Sequence, residues 1–198
     1  MTAEPTVQDL EFRDARSDDA VEVVALVESA YRGDASRAGW TTEADLLAGQ
    51  RTDVEEVASI LMDSESRLLL AVRARELLGC VVLRGEARGA YVGMLAVRPG
   101  LQGLGIGRRL LNQAERRARS EFGAERVRMT VIEQREELIA WYKRRGYLLT
   151  ECTEPFPYGN SRFGLPKRND LRFVVLEKAL GLEGGVGRES GAERGGQR

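Results

Sequence analysis

The chain has 198 residues, 42% of them apolar and 31% charged, which suits one globular domain with a real core and excludes a disordered chain. Its 30 basic and 31 acidic residues nearly cancel, so net charge does not favour a nucleic-acid partner. There is no histidine, which excludes a Ser-His-Asp triad, a Cys-His pair and a histidine-ligated zinc; any acid or base must be Asp, Glu, Tyr, Lys, Cys, a terminal amine or a water.

The longest apolar runs, such as 68–72, are too short to span a bilayer, and Met1-Thr2-Ala3-Glu4-Pro5 lacks the basic start and apolar stretch of a signal peptide. A cytoplasmic protein with no membrane partner is the expectation. Cys80 and Cys152 do not lie at metal-site spacing, and no disulfide or metal is expected.

Residues 9–16 alternate as a half-buried strand does. Ser17 and Asp18 resemble a helix N-cap, followed by Val23, Val24, Val27, Ala30 and Tyr31 at helical spacing. Gly33 and Gly39 mark a loop, and Thr42 and Asp45 fit a capping box for a short second helix carrying Leu46 and Leu47. A third helix is predicted near 54–62. Three strands follow at 67–73, 78–84 and 90–97, joined by short turns at Arg75-Glu76 and 85–89 that suggest antiparallel hairpins. Pro99-Gly100 ends the last of them. After a glycine loop, Leu110, Leu111, Ala114, Ala118 and Phe122 form one helical face, closed by Gly123. Residues 126–131 read as a strand, 135–145 as a helix closed by Gly146, and 147–150 and 171–176 as the last two strands. Residues 152–170 read as a long loop rich in proline and glycine, and 1–8 and 179–198 as flexible termini around a domain at 9–178. The fold class is α/β (mixed α+β), with a largely antiparallel sheet and a parallel crossover over 90–131.

Gln102-Gly103-Leu104-Gly105-Ile106-Gly107-Arg108-Arg109 is the most informative stretch. A strand runs into glycines and the glycines run into an amphipathic helix. Glycine admits a close backbone approach, and a helix start offers free N–H donors, so a phosphate or pyrophosphate is the expected ligand. A P-loop would need Gly-Lys-Ser/Thr, and a dinucleotide fingerprint Gly-x-Gly-x-x-Gly; neither register fits. Gln-x-x-Gly-x-Gly does. Read alone, the glycines also allow a plain strand-to-helix turn.

With this motif the chain resembles the GNAT (Gcn5-related N-acetyltransferase) superfamily, in which it binds the pyrophosphate of acetyl-CoA. Met94-Leu95-Ala96-Val97-Arg98-Pro99 looks like the family's fourth strand. Ile139-Ala140-Trp141-Tyr142-Lys143-Arg144-Arg145-Gly146-Tyr147 looks like its later helix, a tyrosine followed by Gly and an aromatic. The resemblance implies acetyl-CoA as the acetyl donor, a sheet splayed between the fourth and fifth strands, and direct attack of an amine on the thioester. It assigns Leu95, Ala96, Val97, Gln102, Gly103, Leu104, Gly105, Ile106, Gly107 and Arg108 to the cofactor, with the Leu95 and Val97 amides holding the pantetheine arm. Tyr142 takes the position of the general acid for the leaving thiolate; the helical pattern by itself also fits a core tyrosine beside Trp141 and Leu138.

The general base is open. Some relatives carry a glutamate in the fourth strand, and this chain has none there; Glu43, Glu86, Glu133 and a water relay are the candidates. Arg135 stands where many relatives have an asparagine that touches the pantetheine, and a surface role is the other reading. For the acceptor, a primary amine of a small molecule or protein, Trp40, Thr42 and Glu43 are expected to line one wall, and Phe156, Tyr158, Arg162 and Phe163 the other. Glu43 suits a cationic amine, whereas Arg162 and Arg168 suit a carboxylate. A homodimer is left open. The rival readings are a non-catalytic acyl-CoA sensor on the same fold and a nucleic-acid module built on the basic helix 108–119, whose plainer reading is a solvated charged face.

Overall fold

The computed structural model describes residues 9–160 and 164–181. The expected flexible termini thus lie mostly outside the described residues, as do Arg162 and Phe163.

The apolar run at 68–72 is a strand buried on both faces. It belongs to β3 (Ser66–Arg73), which pairs antiparallel with β1 (Glu11–Asp14) on one side and β4 (Glu76–Glu86) on the other. Side chains of a strand alternate between faces. Leu69 and Ala71 therefore join one hydrophobic cluster, and Leu68, Leu70 and Val72 the other. Each fully buried Leu contributes roughly 1.5–3 kcal/mol. The first cluster is covered by α4 (Ile106–Phe122) through Ile106, Leu110, Leu111, Ala114 and Ala118. The second is covered by α1 (Ala20–Tyr31) and α3 (Val54–Met62), through Val23, Leu26, Val27 and Val57. Asp53 caps α3 by accepting from the Glu56 amide at 2.7 Å, and Gly123 ends α4 in the left-handed conformation.

The hairpin between β3 and β4 turns at Ala74-Arg75, one residue earlier than predicted, with both residues at positive φ (47° and 70°) as a two-residue primed turn requires. β4 pairs antiparallel with β5 (Gly89–Val97), α4 crosses over, and β6 (Arg126–Ile132) returns parallel to β5 as predicted. After α5 (Glu136–Lys143), β7 (Leu148–Pro155) and β9 (Arg172–Ala179) complete one seven-stranded sheet of order β1-β3-β4-β5-β6-β9-β7. The mixed α/β class and the helix-flanked, largely antiparallel sheet stand as read from the sequence.

Two predicted segments fold otherwise. The short second helix, α2, is Gly33–Arg37 rather than the stretch after Thr42. Thr42 instead accepts from the Ala44 amide at 3.0 Å in a tight turn, and Leu47–Ala48 forms β2, paired with β8 (Leu165–Pro166). The supposed loop 152–170 is thus strand as far as Pro155 and is latched at its far end. Cys80 is buried and Cys152 exposed, and both thiols are free. No helix among the described residues is long and apolar enough to cross a membrane.

Candidate active site

The site exists because β5 and β6 part. They pair only at Ala90↔Val127 and Tyr91↔Arg128. Beyond that point β5 carries a bulge against β4, with Met94 at φ 47°, which bends the strand and breaks the ladder. The Arg98 amide still donates to Leu78 of β4 at 2.9 Å. By the two-residue alternation, the peptide groups of Leu95 and Val97 face the other way, into the gap. Their carbonyls are taken there: Leu95 O accepts from the Tyr31 hydroxyl at 2.9 Å and Val97 O from Gln102 Nε2 at 3.2 Å.

Two cavities meet in this gap. The first is a cleft lined by Leu95, Ala96 and Val97, by the glycine loop, and by Trp40, Trp141 and Tyr142. None of the amides of residues 103–108 donates to a protein acceptor among the described residues, so the loop and the first turn of α4 present a row of free N–H groups. Gly103 (φ 87°) and Gly105 (φ 84°) hold left-handed conformations that aim this row. Arg108 and Arg145 line the cleft too, and Arg145 lies over Trp141 with its guanidinium carbon 3.4 Å from the ring centre. Burial lowers the pKa of Arg145, and its neighbours Arg144 and Arg108 lower it further. Free amides, a helix start and clustered guanidinia fit a pyrophosphate-bearing ligand such as acetyl-CoA.

The predicted cofactor residues come together here with two refinements. Leu104 turns its side chain out of the cleft, leaving only its amide to serve. Gln102 is a strut: its Oε1 accepts from the Trp40 amide at 3.0 Å while its Nε2 holds Val97. Trp40, expected on the acceptor wall, stacks near Trp141 (6.4 Å between centroids) and lines this cleft instead.

The second cavity, of about 600 Å³, opens between the diverging strands. Tyr31, Leu95, Arg135, Leu138 and Tyr142 line both spaces and mark their junction. Tyr142 is buried, in edge contact with Trp141 and Tyr147. Of the five tyrosines, Tyr31, Tyr91, Tyr147 and Tyr158 all hydrogen-bond through their hydroxyls; that of Tyr142 has no protein partner among the described residues. Burial pushes its pKa well above the ordinary phenol value, so it stays protonated.

The carboxylates proposed as bases are engaged elsewhere. Glu43 lines the second cavity, but it is 6% exposed and held on both oxygens, by Arg32 Nη1 at 2.5 Å and Arg135 Nη1 at 2.7 Å. Burial alone would raise its pKa; Arg135, Arg51 and Arg32 outweigh that and hold it below the usual carboxylate range. It is not open to a cationic amine. Arg135 is correspondingly no surface residue: its side chain is buried, bonded to Glu43 and Thr41. Glu86 lies off the cavity in a fork with Arg128 at 2.7 and 2.8 Å, and Glu133 is paired with Arg172.

On the far wall Phe156 does line the cavity, whereas Tyr158 does not: its hydroxyl donates to Arg168 O and accepts from the Leu171 amide, pinning the loop. Arg168 is paired with Asp170 at the surface. Thr42 hydrogen-bonds with Ser36. Arg51, whose surroundings carry no periodic signal, was not singled out from the sequence but lines the cavity, and Tyr31, read there only as part of a helix face, sits at the junction.

A family model described as the acetyltransferase (GNAT) family matches residues 24–147. No curated protein matches. Among solved structures, the chain resembles a ribosomal-protein-S18-alanine N-acetyltransferase from Escherichia coli (13% identity, 88% of this chain and 96% of that one, TM-score 0.65). It also resembles a nourseothricin acetyltransferase (20%, 86% and 98%, TM-score 0.62) and a spermidine N-acetyltransferase variant from Vibrio cholerae (14%, 87% and 94%, TM-score 0.62). At these identities the structures speak for the fold alone; the matched family model spans most of the chain, from within α1 to the glycine turn after α5. The splayed strands and the glycine loop at a helix start are therefore those of a member of the GNAT acetyltransferase family, to which this chain belongs.

Proposed function

We propose that the protein transfers an acetyl group from acetyl-CoA to a primary amine by direct attack on the thioester, within a catalytic domain spanning 9–178. The observation that carries this reading is Tyr142, a buried phenol with an unspent hydroxyl at the junction of a cofactor-shaped cleft and a second cavity. The names of two similar structures, a ribosomal-protein-S18-alanine N-acetyltransferase and a spermidine N-acetyltransferase, support an amine as the acceptor class.

Bound acetyl-CoA would supply the activated acetyl group. The amides of residues 103–108 and Arg108 would hold the pyrophosphate. The Leu95 and Val97 amides would hold the pantetheine arm as an added strand, with one of them facing the thioester oxygen, a placement worth roughly a hundred- to a thousandfold in rate. The acceptor amine would enter through the second cavity and reach the thioester carbon at the junction. Tyr142 would give its proton to the departing sulfur. With Glu43, Glu86 and Glu133 bound to arginines, the amine's proton would leave through a water relay.

The test is release of CoA thiol on mixing the protein with acetyl-CoA and a panel of primary amines, followed by mass analysis of the acetylated product. A protein that binds CoA yet acetylates no amine in a broad panel would favour the sensor reading.

A further inference from the structure

Five arginines line the second cavity: Arg32, Arg51, Arg84, Arg128 and Arg135. Arg128 is forked on Glu86 and reaches Glu154. Arg32 and Arg135 share Glu43. Arg84, at the exposed edge, lies over the Tyr91 ring. Arg51 differs. It is half-buried, yet among the described residues its guanidinium meets neither a hydrogen-bond acceptor nor a carboxylate within salt-bridge distance. Its close contact is the face of Tyr31, 5.4 Å from the ring centre. The other acid near it on the cavity wall, Glu56, accepts from the Thr52 hydroxyl at 2.9 Å.

Arg32 and Arg135 thus take both oxygens of the buried Glu43, and Arg51 stands near Glu43 and Glu56 without bonding either. Arg32 keeps two buried nitrogens without an acceptor, and Arg135 keeps one. The wall as a whole sets its five arginines against Glu43, Glu56, Asp63 and Glu154, so the place for an incoming anion is local, at the guanidinium that has no hydrogen-bond partner among the described residues. Arg51 presents the free planar fork that a carboxylate matches with two parallel hydrogen bonds. Tyr31 fixes its position relative to the chemistry: the ring that Arg51 covers ends in the hydroxyl bonded to Leu95 O at 2.9 Å, in the gap where the cofactor cleft and the cavity meet. One tyrosine side chain separates the guanidinium from the transfer point.

We infer that the acceptor is an amino acid or a like small molecule, an amine bearing a carboxylate a few bonds from its nitrogen, and that Arg51 seats the carboxylate. This rests on the transferase reading for the word acceptor, but the seat can be measured without turnover. The protein saturated with CoA is titrated by calorimetry with a panel of N-acetyl amino acids, each compared with its carboxamide and with an N-acetylaminoalkyl phosphate. At least one acid is expected to bind tenfold or more tighter than its amide. In Arg51→Gln, which keeps the backbone and most of the side-chain length, that advantage disappears; Arg51→Lys restores part of it, and unchanged CoA affinity reports an intact fold. A panel in which no acid outbinds its amide overturns the inference, as does tighter binding of the phosphate or an advantage that survives in Arg51→Gln. If the acid preference depends on Arg51 but no amine is ever acetylated, the seat stands and the transferase reading fails.

Discussion

Tyr142 and Tyr147 stand edge to face with ring centres 5.7 Å apart, and their hydroxyls go to different places. Tyr147 donates to Glu115 Oε1 at 3.0 Å, on the outer helix α4, while the Tyr142 hydroxyl is left for the junction of the two cavities. Tyr142→Phe should therefore lower the catalytic constant by roughly a hundredfold or more, the usual scale of general-acid effects, with CoA affinity unchanged. Tyr147→Phe should cost about 1.5–3 kcal/mol of stability, as loss of a hydrogen bond to a charged group does, with turnover nearly kept. Single-turnover kinetics and urea unfolding of the two variants separate the roles. A fully active Tyr142→Phe protein, when chemistry limits the rate, would show that the thiolate leaves unaided. Because burial raises the Tyr142 pKa above the ordinary value near 10, its ionisation should cause no loss of rate below about pH 10.

Gly107 tests the cofactor loop more cleanly than Gly105. Gly105 sits at φ 84°, so any side chain there strains the backbone by roughly 1–2 kcal/mol before a ligand is considered. Gly107 has ordinary helical geometry. A methyl group added to it would lie 3.5 Å from Val97 and 3.7 Å from Trp141, ordinary contacts on the floor of the cleft. Gly107→Ala should leave the protein equally or more stable, by up to about 1 kcal/mol, because alanine favours a helix. It should also weaken CoA at least tenfold, about 1.4 kcal/mol, by occupying space against the free amides. Calorimetric titration with CoA decides it: undiminished affinity removes the loop from the cofactor site.

The same side-chain accounting bears on Glu43. Replacing it with glutamine leaves Arg32 and Arg135 buried without their shared counter-charge, a change that costs about 3 kcal/mol or more. Its folded pKa is depressed below the unfolded value near 4.3, so the stability it contributes is fully present above that value and lost as pH falls through the folded pKa. Urea unfolding at pH 7 should show a large gap between wild type and Glu43→Gln, and the gap should shrink below about pH 4. A gap independent of pH would mean that Glu43 packs rather than pairs.

Most of the fold was legible because its signals are local. The helix over Ile106–Phe122 announces itself by glycines before it, one apolar face and Gly123 after it; the hairpins of β3, β4 and β5 announce themselves by apolar runs between tight turns. What was missed depends on distant partners. Between the two readings of Arg135, beside the pantetheine or at the surface, nothing decides until Glu43, 92 positions away, is brought against it. Gly33–Arg37 is too short to show a period, and β2 exists only because two residues near the other end of the chain pair with it. Arg51 sits between Gly49 and Thr52 with no pattern around it, and only the folded cavity gives its charge a meaning.

The segment after β7 offers a last test, because it reaches the second cavity and not the cleft of the glycine loop. Phe156 lines the second cavity and packs beside Phe173 and Tyr158. Tyr158 then ties the segment to itself through Arg168 O at 3.3 Å and the Leu171 amide at 2.6 Å. Further on, Leu165–Pro166 pairs with Leu47–Ala48, and the Lys167 amide donates to Leu46 O, so the segment also braces the stretch between Glu43 and Arg51. Tyr158→Phe keeps the ring and frees both backbone groups, a loss of roughly 1–3 kcal/mol of local order. The acceptor KM should rise several-fold while the acetyl-CoA constant holds, since no described residue of 156–171 lines the cleft proposed for acetyl-CoA. Initial-rate measurements with each substrate varied in turn distinguish the two. A change confined to the acetyl-CoA constant would move this segment to the cofactor side and count against the second cavity, which Phe156 lines, as the acceptor's entry.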